Sequence, residues 1–84
     1  MKFYFITFRS ITFAQRGEGI LRRKGITCTL QRTPRWMEER GCGYCLKVQQ
    51  RDVEEAVQLL RENRLAFSKV YLQQPDESAQ ELAL

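Results

Sequence analysis

Residues 44–63 read YCLKVQQRDVEEAVQLLREN, and the fold turns on a change of period inside them. Tyr44, Leu46 and Val48 alternate with Cys45, Lys47 and Gln49, the two-residue repeat of a strand with one apolar face. From Asp52 the repeat becomes helical: Val53, Ala56, Val57 and Leu60 fall at i, i+3, i+4 and i+7. Asp52 is the expected N-cap, Glu54 and Glu55 suit the positive end of the helix, and Asn63 is the candidate left-handed terminator.

The same alternation of strand and helix extends in both directions. Upstream, Ile26, Cys28 and Leu30 alternate with polar residues up to Arg32, which predicts a second strand. Before it, Phe13, Ala14, Gly17, Ile20 and Leu21 recur at helical spacing between Ser10, a candidate N-cap, and Gly25, a stop signal. Arg22, Arg23 and Lys24 in the last turn complement the helix dipole. The first segment, Lys2 to Phe8 (KFYFITF), is apolar on both parities, as a central strand packed on two faces requires. Downstream, Phe67 to Leu72 predicts a fourth strand, and the last ten residues, PDESAQELAL, read as a short frayed helix or a flexible tail. Strand, helix, strand, strand, helix, strand with right-handed crossovers gives an α+β, ferredoxin-like βαββαβ domain over residues 1–73: four antiparallel strands, two helices on one face, and a tail over 74–84.

At 84 residues the chain is one domain, and its composition is that of an ordinary globular protein, with 43% hydrophobic and 29% charged residues. It contains no histidine, which removes Ser-His and Cys-His nucleophile pairs and imidazole metal ligands and argues against a conventional hydrolase. The charge is uneven. Residues 1–47 carry ten Lys and Arg against Glu18, Glu38 and Glu39, whereas the remainder is acidic. No segment approaches the ~20 apolar residues of a membrane span, and Arg9 comes too early for a signal-peptide apolar region, so the expectation is a cytoplasmic protein with no membrane contact.

Between the second and third strands lies Thr33 to Gly43, TPRWMEERGCG, which has no clean period and reads as a long loop. It delivers the CxxC of Cys42 and Cys45. Gly41 and Gly43 leave no neighbouring side chain to shield the Cys42 sulfur, and Arg35 and Arg40 favour its thiolate, partly offset by Glu38 and Glu39. The alternative is that Cys42 is only a small residue in a tight turn. Cys45 lies on the strand face opposite Tyr44, Leu46 and Val48 and is the candidate resolving thiol. Cys28 reads as a small buried hydrophobe. Two cysteines without histidine or a second CxxC do not complete a zinc site within one chain, so no metal and no dissociable cofactor are expected.

Phe3, Tyr4, Phe5 and Phe8 invite an RNA-binding reading, but CGYCLKV lacks the basic-aromatic-glycine pattern of RNA-recognition strands. An open apolar sheet face suits a homodimer or a docked partner instead, and Trp36 and Met37 are further candidates for a partner contact or a core lid.

The segments FYFITFRSITFA, Gly25-Ile26, Thr33-Pro34-Arg35, Cys42-Gly43 with the strand after it, and DVEEAVQLLRENR together resemble the small family of bacterial selenium/sulfur carrier protein-like domains, over about residues 2–72. The resemblance implies that Cys42 carries sulfur or selenium as a covalent persulfide or selenosulfide, relayed from a protein donor such as a cysteine desulfurase to a protein acceptor, with no turnover of its own. Cys45 stands where a small apolar residue is expected in the family, which allows a dithiol variant. The competing class is a non-catalytic module, dimeric or nucleic-acid-binding, with incidental cysteines; no specific nucleic-acid site is expected, because the basic residues are scattered and no stacking motif accompanies them.

Overall fold

The computed structural model describes residues 3–33, 43–73 and 79–82. The strands are β1 (Phe3–Phe8), β2 (Cys28–Arg32), β3 (Tyr44–Gln49), β4 (Val70–Gln73) and β5 (Ala79–Leu82), and the helices are α1 (Ile11–Arg23) and α2 (Val53–Glu62). The sheet order is β2-β3-β1-β4-β5, with every neighbouring pair antiparallel. The first four strands thus have the order of a ferredoxin-like sheet. The fifth corrects the expectation for the C-terminus: residues 79–82 form an edge strand against β4 in place of a frayed helix or free tail. Four residues with no strong period are too few to announce a strand, and here the ladder offered by β4 decides. Pro75, read as the close of the fold, lies outside the described residues.

The main core lies between the sheet and the helices. Ile6, Phe8, Leu46, Val48 and Val70 project from the sheet against Ala14, Leu21, Ala56, Val57 and Leu60. Gly17 permits the close seating of α1, since a Cβ there would stand 3.0 Å from the Phe8 ring and 3.1 Å from a Leu46 methyl. β1 is buried on both faces over Phe5 to Phe8, as its unbroken apolar run predicts. On the face away from the helices a second, smaller cluster holds Phe5, Cys45 and Tyr71, with Phe3 packed against it.

The helix ends show which local signals operate. At α1 the Ser10 hydroxyl accepts a hydrogen bond from the Phe13 amide, as expected of an N-cap. Asp52 does not cap α2 with its side chain. A 3-10 turn over Gln50–Asp52 leads into the helix and holds Asp52 at φ −105°, ψ −10°, away from the extended geometry that aims a capping side chain. Both helices close with paired bonds to the last turn: the amides of Gly25 and Ile26 donate to the carbonyls of Arg22 and Leu21, and those of Arg64 and Leu65 to Arg61 and Leu60. The left-handed residue after α2 is therefore Arg64, at φ 56°, and not Asn63, which instead donates its side-chain amide to the Leu59 carbonyl.

Candidate functional site

The segment that holds Cys42 joins β2 to β3, Cys45 lies within β3, and both ends of the segment are described. Gly43 precedes Tyr44, which pairs with Phe8 of β1 on one side and with Arg32 of β2 on the other. The Thr33 amide donates to the Gly43 carbonyl at 3.2 Å, closing the base of the loop. The junction thus sits at the end of the sheet where β1 finishes and α1 begins. Gly43 is required there on two counts. Its φ of +124° belongs to the region that side chains avoid, and a Cβ would lie 2.8 Å from the Phe8 carbonyl oxygen. The expectation of unusual dihedrals beside Cys42 is met at this residue. Gly41, Cys42, Arg35, Arg40, Trp36 and Met37 lie outside the described residues.

The other two cysteines are described, and both are sealed. Cys28 faces the main core, and burial pushes its thiol up from the ordinary value, partly opposed by the nearby Arg22 guanidinium. Arg22 also donates to the Cys28 carbonyl at 3.1 Å and pairs with Glu18 at 3.3 Å, while Arg23 donates to the Gly19 carbonyl. Two of the three basic residues at the end of α1 thus hold the helix and β2 by side-chain bonds, beyond the helix-dipole role expected of them.

Cys45 is 0% exposed on the opposite sheet face, in the row formed by Thr7, Cys45 and Gln31 across β1, β3 and β2. Burial pushes its thiol up to about 11, with the side chains of Thr33 and Gln31 pulling the other way. The pull from Thr33 is one of proximity. Its hydroxyl is buried and, among the described residues, has no partner in hydrogen-bond geometry, Cys45 included. Thr7 by contrast is fully satisfied: its hydroxyl donates to the Lys69 carbonyl and accepts from the Lys69 amide.

Thr33 is the residue of this region that residue-level reading left without a chemical role. Its signal was the register. Thr33 pairs with Gly43 just as Gln31 pairs with Cys45, but an eleven-residue segment between two strands does not reveal which residues oppose each other. The apolar side chains on the open face are already buried within one chain, since Phe5 and Tyr71 lie in the second cluster. Among the described residues the large hydrophobic ones that stay exposed lie elsewhere: Ile11 at 42% and Phe13 at 40%, both in the first turn of α1. Phe13 was expected on the buried stripe. Side chains of a first turn lean back toward the N-terminus, beyond the sheet that covers Ala14 and Gly17.

The sequence model of the family described as "Putative Se/S carrier protein-like" matches residues 3–72, nearly the whole of the βαββαβ unit. The chain belongs to this Se/S carrier protein-like family. The match begins with β1 and ends within β4, so the fifth strand lies beyond it. No curated protein and no solved structure gives a significant match. Among the described residues no helix is long and apolar enough to cross a membrane.

Proposed function

We propose that this Se/S carrier protein-like domain is a protein relay for sulfur or selenium and that Cys42 is the thiol that bears the cargo. The observation that carries the reading is the sealing of the other two thiols: Cys28 and Cys45 are buried and held in the neutral form, and a neutral, inaccessible thiol is a poor nucleophile toward another protein's sulfur. In a chain with three cysteines that leaves Cys42. Its neighbour Gly43 adds support, because a position whose positive φ and closeness to the Phe8 carbonyl admit no side chain fixes the point at which Cys42 is joined to β3.

In the reaction the Cys42 thiolate attacks the outer sulfur of a donor persulfide, such as that of a cysteine desulfurase. A bond forms between the Cys42 sulfur and that atom, the donor's S–S bond breaks, and its electron pair leaves on the donor's inner sulfur as a thiolate. The hydrogen on the outer sulfur travels with it. Delivery repeats the exchange with Cys42 as the leaving thiolate, so the relay neither oxidises nor reduces the pair as a whole and uses no cofactor. By sequence proximity Arg35 and Arg40 favour the thiolate, partly offset by Glu38 and Glu39, and Gly41 adds no side chain next to it.

Cys45 is a latent resolving thiol. Its attack on the Cys42 sulfur expels hydrosulfide and leaves a disulfide, but burial and a pKa near 11 make that discharge slow at neutral pH. The cargo is therefore retained until an acceptor arrives. Free thiols of this kind suit the reducing conditions of the cytoplasm.

Intact-mass spectrometry after incubation with a cysteine desulfurase and cysteine tests the reading. Wild type gains the mass of one sulfur atom, Cys42→Ser gains none, and Cys45→Ser still loads. Loading that survives in Cys42→Ser refutes the assignment.

A further inference from the structure

Cys45 has a threonine on either side, and the two hydroxyls are differently committed. Thr7, directly opposite Cys45 on β1, donates its hydroxyl proton to the Lys69 carbonyl and accepts from the Lys69 amide. Thr33 lies toward β2. It follows Gln31, the direct partner of Cys45 on that strand, by two residues, so its side chain leaves the same face of the sheet. Its own partner across the ladder is Gly43, which has no side chain, and the next cross-strand side chain inward on that face is Cys45. Thr33 is 5% exposed, and its hydroxyl oxygen is sealed from solvent with no hydrogen-bond partner among the described residues. A buried hydroxyl without a partner is unfavourable, and a neutral thiol is too weak an acceptor to relieve it. A thiolate is a strong acceptor. The side chains of Thr33 and Gln31 both pull the Cys45 pKa down against burial, the direction expected of donors to the charged sulfur.

We propose that the Thr33 hydroxyl is a donor held in reserve for the Cys45 thiolate, and that Thr33 thereby sets how readily this sealed thiol ionises. Thr33 is a positioning residue, since it keeps its proton and acts through Cys45. The donor is assigned from residues 31, 33, 43 and 45 alone. Its consequence rests on the carrier reading, in which Cys45 discharges the cargo. In that step a bond forms between the Cys45 and Cys42 sulfurs, the bond from Cys42 to the outer sulfur breaks, and its electron pair leaves with the outer sulfur as hydrosulfide. The thiolate is oxidised and the outer sulfur reduced, so no other reagent is consumed.

The test uses Thr33→Val, which keeps the shape and removes the donor, and Thr33→Ser, which restores it. Cysteine Cβ NMR titrations in the Cys42→Ser protein read Cys45 without the cargo thiol. Thr33→Val should lower the thiolate fraction at about pH 9 by about five-fold, the equivalent of one ordinary hydrogen bond, while Thr33→Ser stays with its parent. Cys28, in the main core, should titrate alike in all three. Around Cys45 on this face, β1 and β2 present Phe5, Thr7 and Gln31, none of them titratable; β4 presents Tyr71, and Lys47 stands two residues along β3 with its ammonium over the Phe3 ring. Neither is altered in the variants, so the comparison isolates Thr33. In urea melts at neutral pH, Thr33→Val should match or exceed wild type, because it removes an unpartnered buried hydroxyl, and should lose that advantage as pH rises through about 11. Thr33→Ala, which introduces no clash, should repeat the shift in titration. After loading from glutathione persulfide, Thr33→Val should form the Cys42–Cys45 disulfide and release hydrosulfide about two- to three-fold more slowly than wild type, less than the change in thiolate because a less stabilised thiolate is the better nucleophile.

A Cys45 titration unchanged in Thr33→Val overturns the inference, as does Thr33→Ser behaving like Thr33→Val. A loss of stability in Thr33→Val at neutral pH overturns it too, because the hydroxyl would then already serve the fold. If the titration shifts and no loaded protein forms the disulfide, the donor stands and the resolving role of Cys45 falls. Wild type that takes up no sulfur sinks the carrier reading, and the Cys45 titration still decides the donor.

Discussion

The two ends of the sheet are built to different rules. At the end where β3 finishes and α2 begins, the packing preferences are met even though Asp52 gives no side-chain cap: a 3-10 turn leads into the helix, Glu54 and Glu55 occupy its first turn, and the apolar positions Val53, Ala56 and Val57 are buried. At the end where β1 finishes and α1 begins, the Ser10 cap forms but the packing preferences are broken. Gly43 takes a conformation that other residues rarely adopt and leaves no room for a Cβ beside the Phe8 carbonyl, the Thr33 hydroxyl is buried without a partner among the described residues, Cys45 is a thiol sealed among apolar groups, and Ile11 and Phe13 face solvent. Departures from local consistency concentrate where a protein acts rather than where it is merely held together. The CxxC enters the fold at that same irregular end.

The largest expected effect belongs to the regular side. Leu60→Ala removes a fully buried side chain on α2 and should cost about 2 to 5 kcal/mol in urea melts. Phe13→Ala, at a residue still 40% exposed, should cost under about 1.5 kcal/mol. Equal losses would erase the contrast between a helix that is buried for stability and one whose start is left open.

Next in size is the pH dependence of Cys45. Its folded pKa lies near 11, above the ordinary thiol value near 9, so burial favours the protonated form. The stability this contributes is fully present below pH 9 and is lost as pH rises through 11, because the unfolded chain releases the proton first. Between those limits wild type should lose up to about 2 kcal/mol more than Cys45→Ala, at no more than about 1.4 kcal/mol per pH unit for a single proton. Parallel pH profiles for the two proteins would mean that Cys45 is not sealed.

The smallest effect sets the two caps against each other. Ser10→Ala removes an observed side-chain bond and should cost about 1 kcal/mol. Asp52→Ala removes no such bond and should cost about half as much or less, through the helix dipole alone. A larger loss at Asp52 would reverse the assignment of which helix start depends on its cap.

Much of this fold was legible in the sequence because the strands and helices that build the core repeat with distinct periods. The stripe Val53, Ala56, Val57, Leu60 is buried as read, and β1 is sealed on both faces as its unbroken apolar run demands. What escaped reading depends on partners distant in sequence. β5 exists because β4 presents an edge, and Arg64 is left-handed because Leu65 returns to bond the Leu60 carbonyl, a geometry that propensity assigns to Asn63. The site was half legible. Gly43 could be read as a backbone requirement and Cys28 as a core residue, and parity gave the face on which Cys45 lies. The burial of Cys45 could not be read, because it depends on Phe5 and Tyr71 from two other strands, nor could the pairing of Thr33 with Gly43 across the loop.

The central claim is that one thiol of three is available for chemistry. Alkylation of the native protein at neutral pH, with the rate at each cysteine followed by peptide mass mapping, tests it most directly. The account predicts that Cys42 reacts first and that Cys28 and Cys45 react only at the rate at which the protein unfolds. Modification of Cys45 or Cys28 as fast as Cys42 in the folded protein would contradict it.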